Sequence, residues 1–156
     1  MDYEVIKRLL AAFERHQVAY AVFGAVALSV HGLTRFTEDL DLFVSPDAAN
    51  IGRLKDALRA VFDDPSVDEI SPEEMAGTYP AIRYVPPTGS FYLDIVTRLG
   101  DAFAFSDLET ERVPFDGLTV TVVSAKTLYR MKRDTVRLKD RADAEALKRH
   151  FRWETD

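Results

Sequence analysis

Apolar residues recur every three to four positions at the start of the chain. Val5, Leu9 and Phe13 stand four apart with Ile6 and Leu10 beside them, which predicts a helix over residues 3–16 that Asp2 can cap. The run Ala19-Tyr20-Ala21-Val22-Phe23 predicts a buried strand, and Gly24 breaks it. Small and apolar residues from Ala25 to Val30 suit a second helix, with Gly32 after His31 as its C-terminal stop. Asp39 to Val44 alternates polar and apolar and predicts a strand. Ser45-Pro46-Asp47 then opens a helix to about Val61, with Ser45 as cap and Pro46 at the first helical position.

Residues 63–80 are acidic and predict an irregular, mobile stretch, within which Ser71-Pro72-Glu73-Glu74 can start one short helix. Ala81 to Val85 and Phe91 to Thr97 read as strands joined through Pro86-Pro87-Thr88-Gly89. Arg112 to Phe115 and Leu118 to Val123 read as a hairpin, because Asp116-Gly117 suits a type I′ turn. Ser124 can cap a helix over 125–137, and a last helix is expected over about 140–151. The expected class is α/β (α+β): a mixed sheet, flanking helices and a short helical C-terminus. No internal repeat or low-complexity linker divides the chain, so one domain over 1–156 is expected.

Composition narrows the chemistry. The chain has 156 residues, 47% of them hydrophobic, enough to bury a core without disulfides or a structural metal. It has no cysteine, which removes thiol nucleophiles and thiolate metal sites. The three histidines are well separated, which argues against a histidine-rich zinc site. No apolar run approaches the roughly 20 residues of a membrane helix, and the N-terminus lacks a signal-peptide pattern. A cytoplasmic protein without membrane contact is the expectation.

The net charge of −6 argues against a general nucleic-acid binder, but it is unevenly spread. Residues 126–156 hold 10 of the 20 Lys and Arg and only 6 of the 26 acidic residues. An acidic body with a basic C-terminal segment suggests an anionic ligand held near that segment. A solvated helix face accounts equally well for the same residues.

The strand at Asp39 carries the chemical information. It reads Asp39-Leu40-Asp41-Leu42-Phe43-Val44, so both aspartates share one face. Two carboxylates crowded on a largely buried strand repel each other, and a cation would offset the cost. Mg²⁺, or Mn²⁺ in its place, takes hard oxygen ligands and suits sites that bind phosphates. Hydrated aspartates at an exposed strand end are the plainer alternative. Asp94, inside Phe91-Tyr92-Leu93-Asp94-Ile95-Val96, adds a third strand carboxylate. It either joins the metal site or pairs with an arginine such as Arg35 or Arg83. Gly24, between strand and helix, lets backbone N–H groups approach a phosphate.

Taken together, Phe23-Gly24-Ala25, then Arg35-Phe36-Thr37-Glu38-Asp39-Leu40-Asp41-Leu42, then Asp94 resemble the nucleotidyltransferase superfamily with the DNA polymerase beta-type fold. That pattern is hG[GS], a short helix, Dh[DE]h and a third carboxylate on a later strand. The stretch from Tyr20 to Asp41 is most similar to AbiEii-like nucleotidyltransferases, which include type IV toxins of toxin–antitoxin systems. Met131-Lys132 followed by Lys139-Asp140-Arg141-Ala142-Asp143 resembles that group's basic C-terminal segment with its R/K-D-x-x-D core.

The resemblance implies a metal-dependent transfer of a nucleoside monophosphate from an NTP to an acceptor hydroxyl on RNA, a protein or a small molecule. It implies a possible cognate antitoxin as partner. Asp39 and Asp41 match the metal pair, Asp94 the third carboxylate, and Gly24 the first glycine of the phosphate turn. Lys132 and Asp140 match the C-terminal Lys and Asp positions. Ala25 stands where that pattern has Gly or Ser; it keeps its N–H but brings no hydroxyl. A catalytically silent domain that binds nucleotide, RNA or a partner protein is the alternative. A haloacid-dehalogenase-type phosphatase fits less well, because that family places its D-x-D on the first strand before a Gly-Thr turn.

Several neighbouring residues keep two readings. Arg35 either steers a triphosphate or pairs with Asp39 or Glu38. Thr37 either supports the aspartates through its hydroxyl or caps a turn. Of Lys126, Arg130, Lys132, Arg133 and Arg137, most are expected in solvent, with Lys132 preferred for phosphate contact. Trp153 is expected to cover the edge of the core.

Overall fold

The computed structural model describes residues 3–77, 80–87, 91–101, 103–133 and 137–153. It is an α/β structure built on a six-stranded mixed sheet. Helix α1 (Tyr3–Arg15) precedes β1 (Tyr20–Phe23), α2 (Gly24–Val30) and β2 (Asp39–Val44). Then come α3 (Ala48–Phe62), α4 (Pro72–Ala76), β3 (Ala81–Tyr84) and β4 (Tyr92–Val96). A two-stranded ribbon of β5 (Arg98–Leu99) and β6 (Phe103–Ala104) follows. The hairpin β7 (Thr110–Phe115) and β8 (Leu118–Val123) leads to α5 (Ala125–Arg133) and α6 (Leu138–His150).

The sheet runs β3-β4-β2-β1-β8-β7. Strands β2 and β4 pair in parallel, as do β1 and β8, and the remaining pairs are antiparallel. The hairpin turn behaves as its Asp-Gly sequence requires: Asp116 has φ 50° and Gly117 φ 87°, the left-handed pair of a type I′ turn. Leu40, Leu42, Leu93 and Ile95 are fully buried and join Ile6, Leu9, Phe13, Ile51, Leu54 and Leu58 in one core. None of the described helices is long and apolar enough to cross a membrane.

The end of α2 confirms its glycine stop. Gly32 has φ 103°; its N–H donates to Ser29 O, and the Leu33 N–H reaches back to Leu28 O at 2.9 Å. Two expectations need correction. Helix α3 is capped by Asp47, not Ser45, and begins at Ala48, so Pro46 lies outside it. The Asp47 carboxylate accepts from Asn50 N at 2.8 Å, and Ser45 Oγ donates to the same carboxylate at 2.8 Å. A charged acceptor beside a hydroxyl takes the cap.

The acidic stretch 63–80 is also more regular than its composition suggests. It holds a 3₁₀ turn (Pro65–Glu69) as well as α4, which Ser71 caps through Glu74 N. Val67, Ile70 and Met75 are buried, Thr97 Oγ1 donates to Met75 O at 2.6 Å, and Tyr84 Oη donates to Asp64 at 2.8 Å. Apolar residues at wide spacing anchor a segment whose acids face water.

Helix α5 ends at Arg133 and α6 starts at Leu138. The expected residues 134–136 of the longer helix, the Asp2 cap and the Thr88-Gly89 connection lie outside the described residues. Trp153 covers the edge of the core as expected, stacked on Phe151 at 5.2 Å and edge-on to Tyr129 at 5.7 Å.

Candidate active site

Strand β2 brings Asp39 and Asp41 to one face of the sheet, and β4 pairs beside it with Asp94 directly opposite Asp41. One carboxylate oxygen from each of the three lies within 4.8 Å of the others. Further along the same face, Phe43 is fully buried and packs on Phe23 and Phe105 with ring centroids at 5.6 and 6.5 Å. These rings form an apolar wall beside the carboxylates on that face.

The three carboxylates have unequal company. Thr37 donates its hydroxyl to the Asp39 carboxylate and accepts from Asp39 N at 3.2 Å. Both of its readings are realised: the hydroxyl bonds the Asp39 carboxylate, and by accepting from Asp39 N it caps the turn into β2. Asp94 takes a forked contact from Arg83, directly across β3, with Nε at 2.9 Å and Nη2 at 3.3 Å. The Arg83 guanidinium also lies 4.0 Å from the centroid of the Tyr92 ring. Of the two arginines that could pair with Asp94, Arg83 does so. Asp41 has neither a hydrogen bond nor an ion pair among the described residues. Burial, then the charges of Asp39 and Asp94, push its carboxyl up to about 7, against smaller opposing pulls from Lys132 and Arg83.

Gly24 owes its identity to this carboxylate. It has φ 69°, and a Cβ there would stand 2.0 Å from Asp41 Oδ2. Any side chain would clash with the carboxylate as well as strain the backbone. Gly24 and Ala25 open α2 at the end of β1, where Phe23 is in register with Asp41.

The C-terminal residues assemble separately. Lys132 Nζ lies 3.3 Å from Asp140 and 3.1 Å from Asp143. Arg35 Nε donates to the other side of Asp143 at 2.9 Å. Arg35 thus pairs with neither Asp39 nor Glu38; the buried carboxylate of α6 claims it. Asp143 was visible in the sequence as the second acid of the D-x-x-D core, but its role as the hub between Lys132 and Arg35 depends on α6 packing against α5. Lys126 lies over the Trp153 ring, 4.1 Å from its centroid. Lys132 is the residue of the basic segment whose charge reaches Asp41.

The donor set fits a hard divalent cation: three carboxylates converge, one of them uncompensated. The profile of the family described as "Nucleotidyl transferase AbiEii toxin, Type IV TA system" matches residues 8–152. Among solved structures, the fold is similar to ANT(2″)-Ia in complex with adenylyl-2″-tobramycin, with TM-score 0.57 and 14% identity over 96% of this chain and 90% of that one. It is similar to the lincomycin-bound lincosamide antibiotic adenylyltransferase LnuA, with TM-score 0.59 and 14% identity over 95% and 97%. An antigenic nucleotidyltransferase-like protein from Paracoccidioides brasiliensis gives TM-score 0.54 and 17% identity over 94% and 75%. No curated protein matches the sequence.

Proposed function

The chain belongs to the AbiEii nucleotidyl transferase family, and on that premise we propose that Asp39, Asp41 and Asp94 serve the transfer of a nucleoside monophosphate from an NTP to an acceptor hydroxyl, whose oxygen bonds the α-phosphorus as pyrophosphate leaves. The convergence of these carboxylates around an uncompensated Asp41 carries the reading. Asp39, Asp41 and Asp94 would hold Mg²⁺ or Mn²⁺, which when bound supplies charge stabilisation for in-line phosphoryl transfer. Thr37 fixes the Asp39 carboxylate. Asp94, once released from Arg83, can accept the proton of the attacking hydroxyl. Gly24 and Ala25 offer backbone N–H groups to the triphosphate, and Lys132, whose charge reaches Asp41, adds positive charge. Arg35 and Asp140 act one step back, by holding Asp143 and Lys132 in place.

The acceptor we favour is RNA, because half of the Lys and Arg lie in residues 126–156 of an otherwise acidic chain. The family's description supports a toxin role opposed by a cognate antitoxin, and we place the protein in the cytoplasm. The fork of Arg83 on Asp94 favours one alternative, a catalytically silent domain that binds nucleotide or a partner.

Incubation of the purified protein with each labelled NTP, Mg²⁺ or Mn²⁺ and total cellular RNA tests the reading. Label appears in RNA if it holds. Nucleotide binding without transfer to RNA, protein or small-molecule acceptors would select the silent domain. Growth arrest on expression of wild type but not Asp41→Asn tests the toxin role.

A further inference from the structure

The loop between α2 and β2 holds an unusual side chain. Phe36 is 94% exposed, the most exposed of the large hydrophobic residues described. Its two neighbours are both fastened, Arg35 to Asp143 and Thr37 to Asp39. The loop is therefore held at each side of a phenyl ring that packs on nothing. Leaving such a ring in water forgoes the gain of burying it.

Phe36 borders a cleft of about 630 Å³ that also takes in Thr37, Glu38, Arg35 and the half-exposed ring of Tyr3. That volume suits a nucleotide-sized ligand. Thr37 links the cleft to the proposed catalytic carboxylates: it lines the cleft, and its hydroxyl bonds Asp39. Helix α6 backs two of the lining residues: Asp143 holds Arg35, and His150 lies 3.0 Å from where a Cβ on Gly32 would stand. Exposed Lys139, Arg141 and Arg149 belong to the same helix.

We propose that this cleft is the acceptor subsite, where Phe36 stacks on the base next to the 3′ hydroxyl of a single-stranded RNA. The inference rests on the nucleotidyltransferase reading and deepens it. Two exposed aromatic faces offer sequence-tolerant stacking, and the basic helix alongside suits a phosphodiester backbone. A cationic or apolar small molecule would not draw on that charge.

The test compares wild type, Phe36→Ala and Phe36→Trp. The readouts are affinity for a short mixed-sequence single-stranded RNA, affinity for NTP with Mg²⁺, and the KM for RNA in transfer. Base stacking contributes about 1–3 kcal/mol, so Phe36→Ala should weaken RNA binding and raise the RNA KM by roughly 5- to 150-fold. NTP affinity should stay the same, and Phe36→Trp should retain or improve RNA binding. Unchanged RNA affinity in Phe36→Ala, or a loss confined to NTP, overturns the assignment. Wild type that binds and transfers NTP to a protein or small molecule but ignores RNA overturns the subsite and leaves the transferase reading standing. Wild type that binds no NTP overturns both.

Discussion

On α6, Asp140 and Asp143 meet cations on every side: Lys132 touches both, and Arg35 closes on Asp143. On β2 and β4, three aspartates share one guanidinium, and that contact goes to Asp94 alone. Both clusters use the same functional group at similar depth. The first is neutral within itself and ties the C-terminal helices to the loop before β2. The second keeps an excess of negative charge, concentrated on Asp41. The acids of a balanced cluster need no further cation and act as architecture, here by holding Lys132 and Arg35 in place. An unbalanced cluster is strained without a cation, and on that ground we propose it as the metal site.

The contrast is broken most severely at Asp41. Asp41→Asn should reduce transfer on the order of 10³-fold or more, since it removes several kcal/mol of charge stabilisation. Initial rates at saturating Mg²⁺ measure this, and rates equal to wild type would refute the role.

The same residue gives a pH dependence of definite sign. Its carboxyl is raised from 3.8 to about 7 in the folded protein. The folded state therefore binds the extra proton between these values, and stability falls as pH rises through that window. The cost is absent below about pH 4 and fully developed above about pH 7, reaching about 4 kcal/mol. Asp41→Asn should remove it, so mutant and metal-free wild type diverge with rising pH in urea melts. Mg²⁺ at pH 8 should raise the melting temperature of wild type only.

Asp143 should answer in the opposite way. Asp143→Ala leaves Arg35 facing no carboxylate and Lys132 with one fewer, and should cost about 3 kcal/mol of stability. Denaturation measures it. A loss of activity with stability intact would move Asp143 from architecture to chemistry.

Arg83 tests whether its fork is part of the architecture. Its side chain is 56% exposed, so Arg83→Met should barely change stability, because solvent screens an exposed ion pair. Removal of its charge beside Asp94 should tighten Mg²⁺ binding, as calorimetry would show. Weaker Mg²⁺ binding would count against three shared carboxylates.

The smallest effect is expected at the exposed end of the basic segment. Arg137 is 70% exposed and only 3.7 Å from Asp140, and Arg133 lies over the Tyr129 ring. Replacing both by Ala should weaken RNA binding and flatten its salt dependence by roughly one unit. NTP affinity should barely change. An unflattened slope would return both to the role of solvated helix surface.

Much of this was legible locally. Alternation along Asp39-Leu40-Asp41-Leu42 puts both carboxylates on one face whatever the neighbours, because strand geometry has a period of two. Asp116-Gly117 specified its turn because few dipeptides tolerate two left-handed residues. Helix α1 followed from the four-residue spacing of Val5, Leu9 and Phe13. The short helix α4 opens at Ser71 as its sequence requires. The cap of α3 and the 3₁₀ turn at 65–69 instead depend on a nearby carboxylate and on buried Val67, Ile70 and Met75, which outweigh local composition.

The sequence by itself determined which residues could bear charge on which face, and where turns must fall, since these depend on steric rules over a few residues. Tertiary structure decided which charges meet. The pairing of β2 with β4 puts Asp94 beside Asp41 across more than fifty residues of chain, and β3 then brings Arg83 opposite Asp94. The packing of α6 on α5 gives Lys132 to Asp140 and Asp143, and draws Arg35 away from the neighbours nearest in sequence. Gly24 shows the same division. Its place after a strand announced a turn, but only the folded sheet sets the Asp41 carboxylate where any Cβ would stand. Electrostatic partnership depends on distance and burial, and both are fixed by long-range packing rather than by order along the chain.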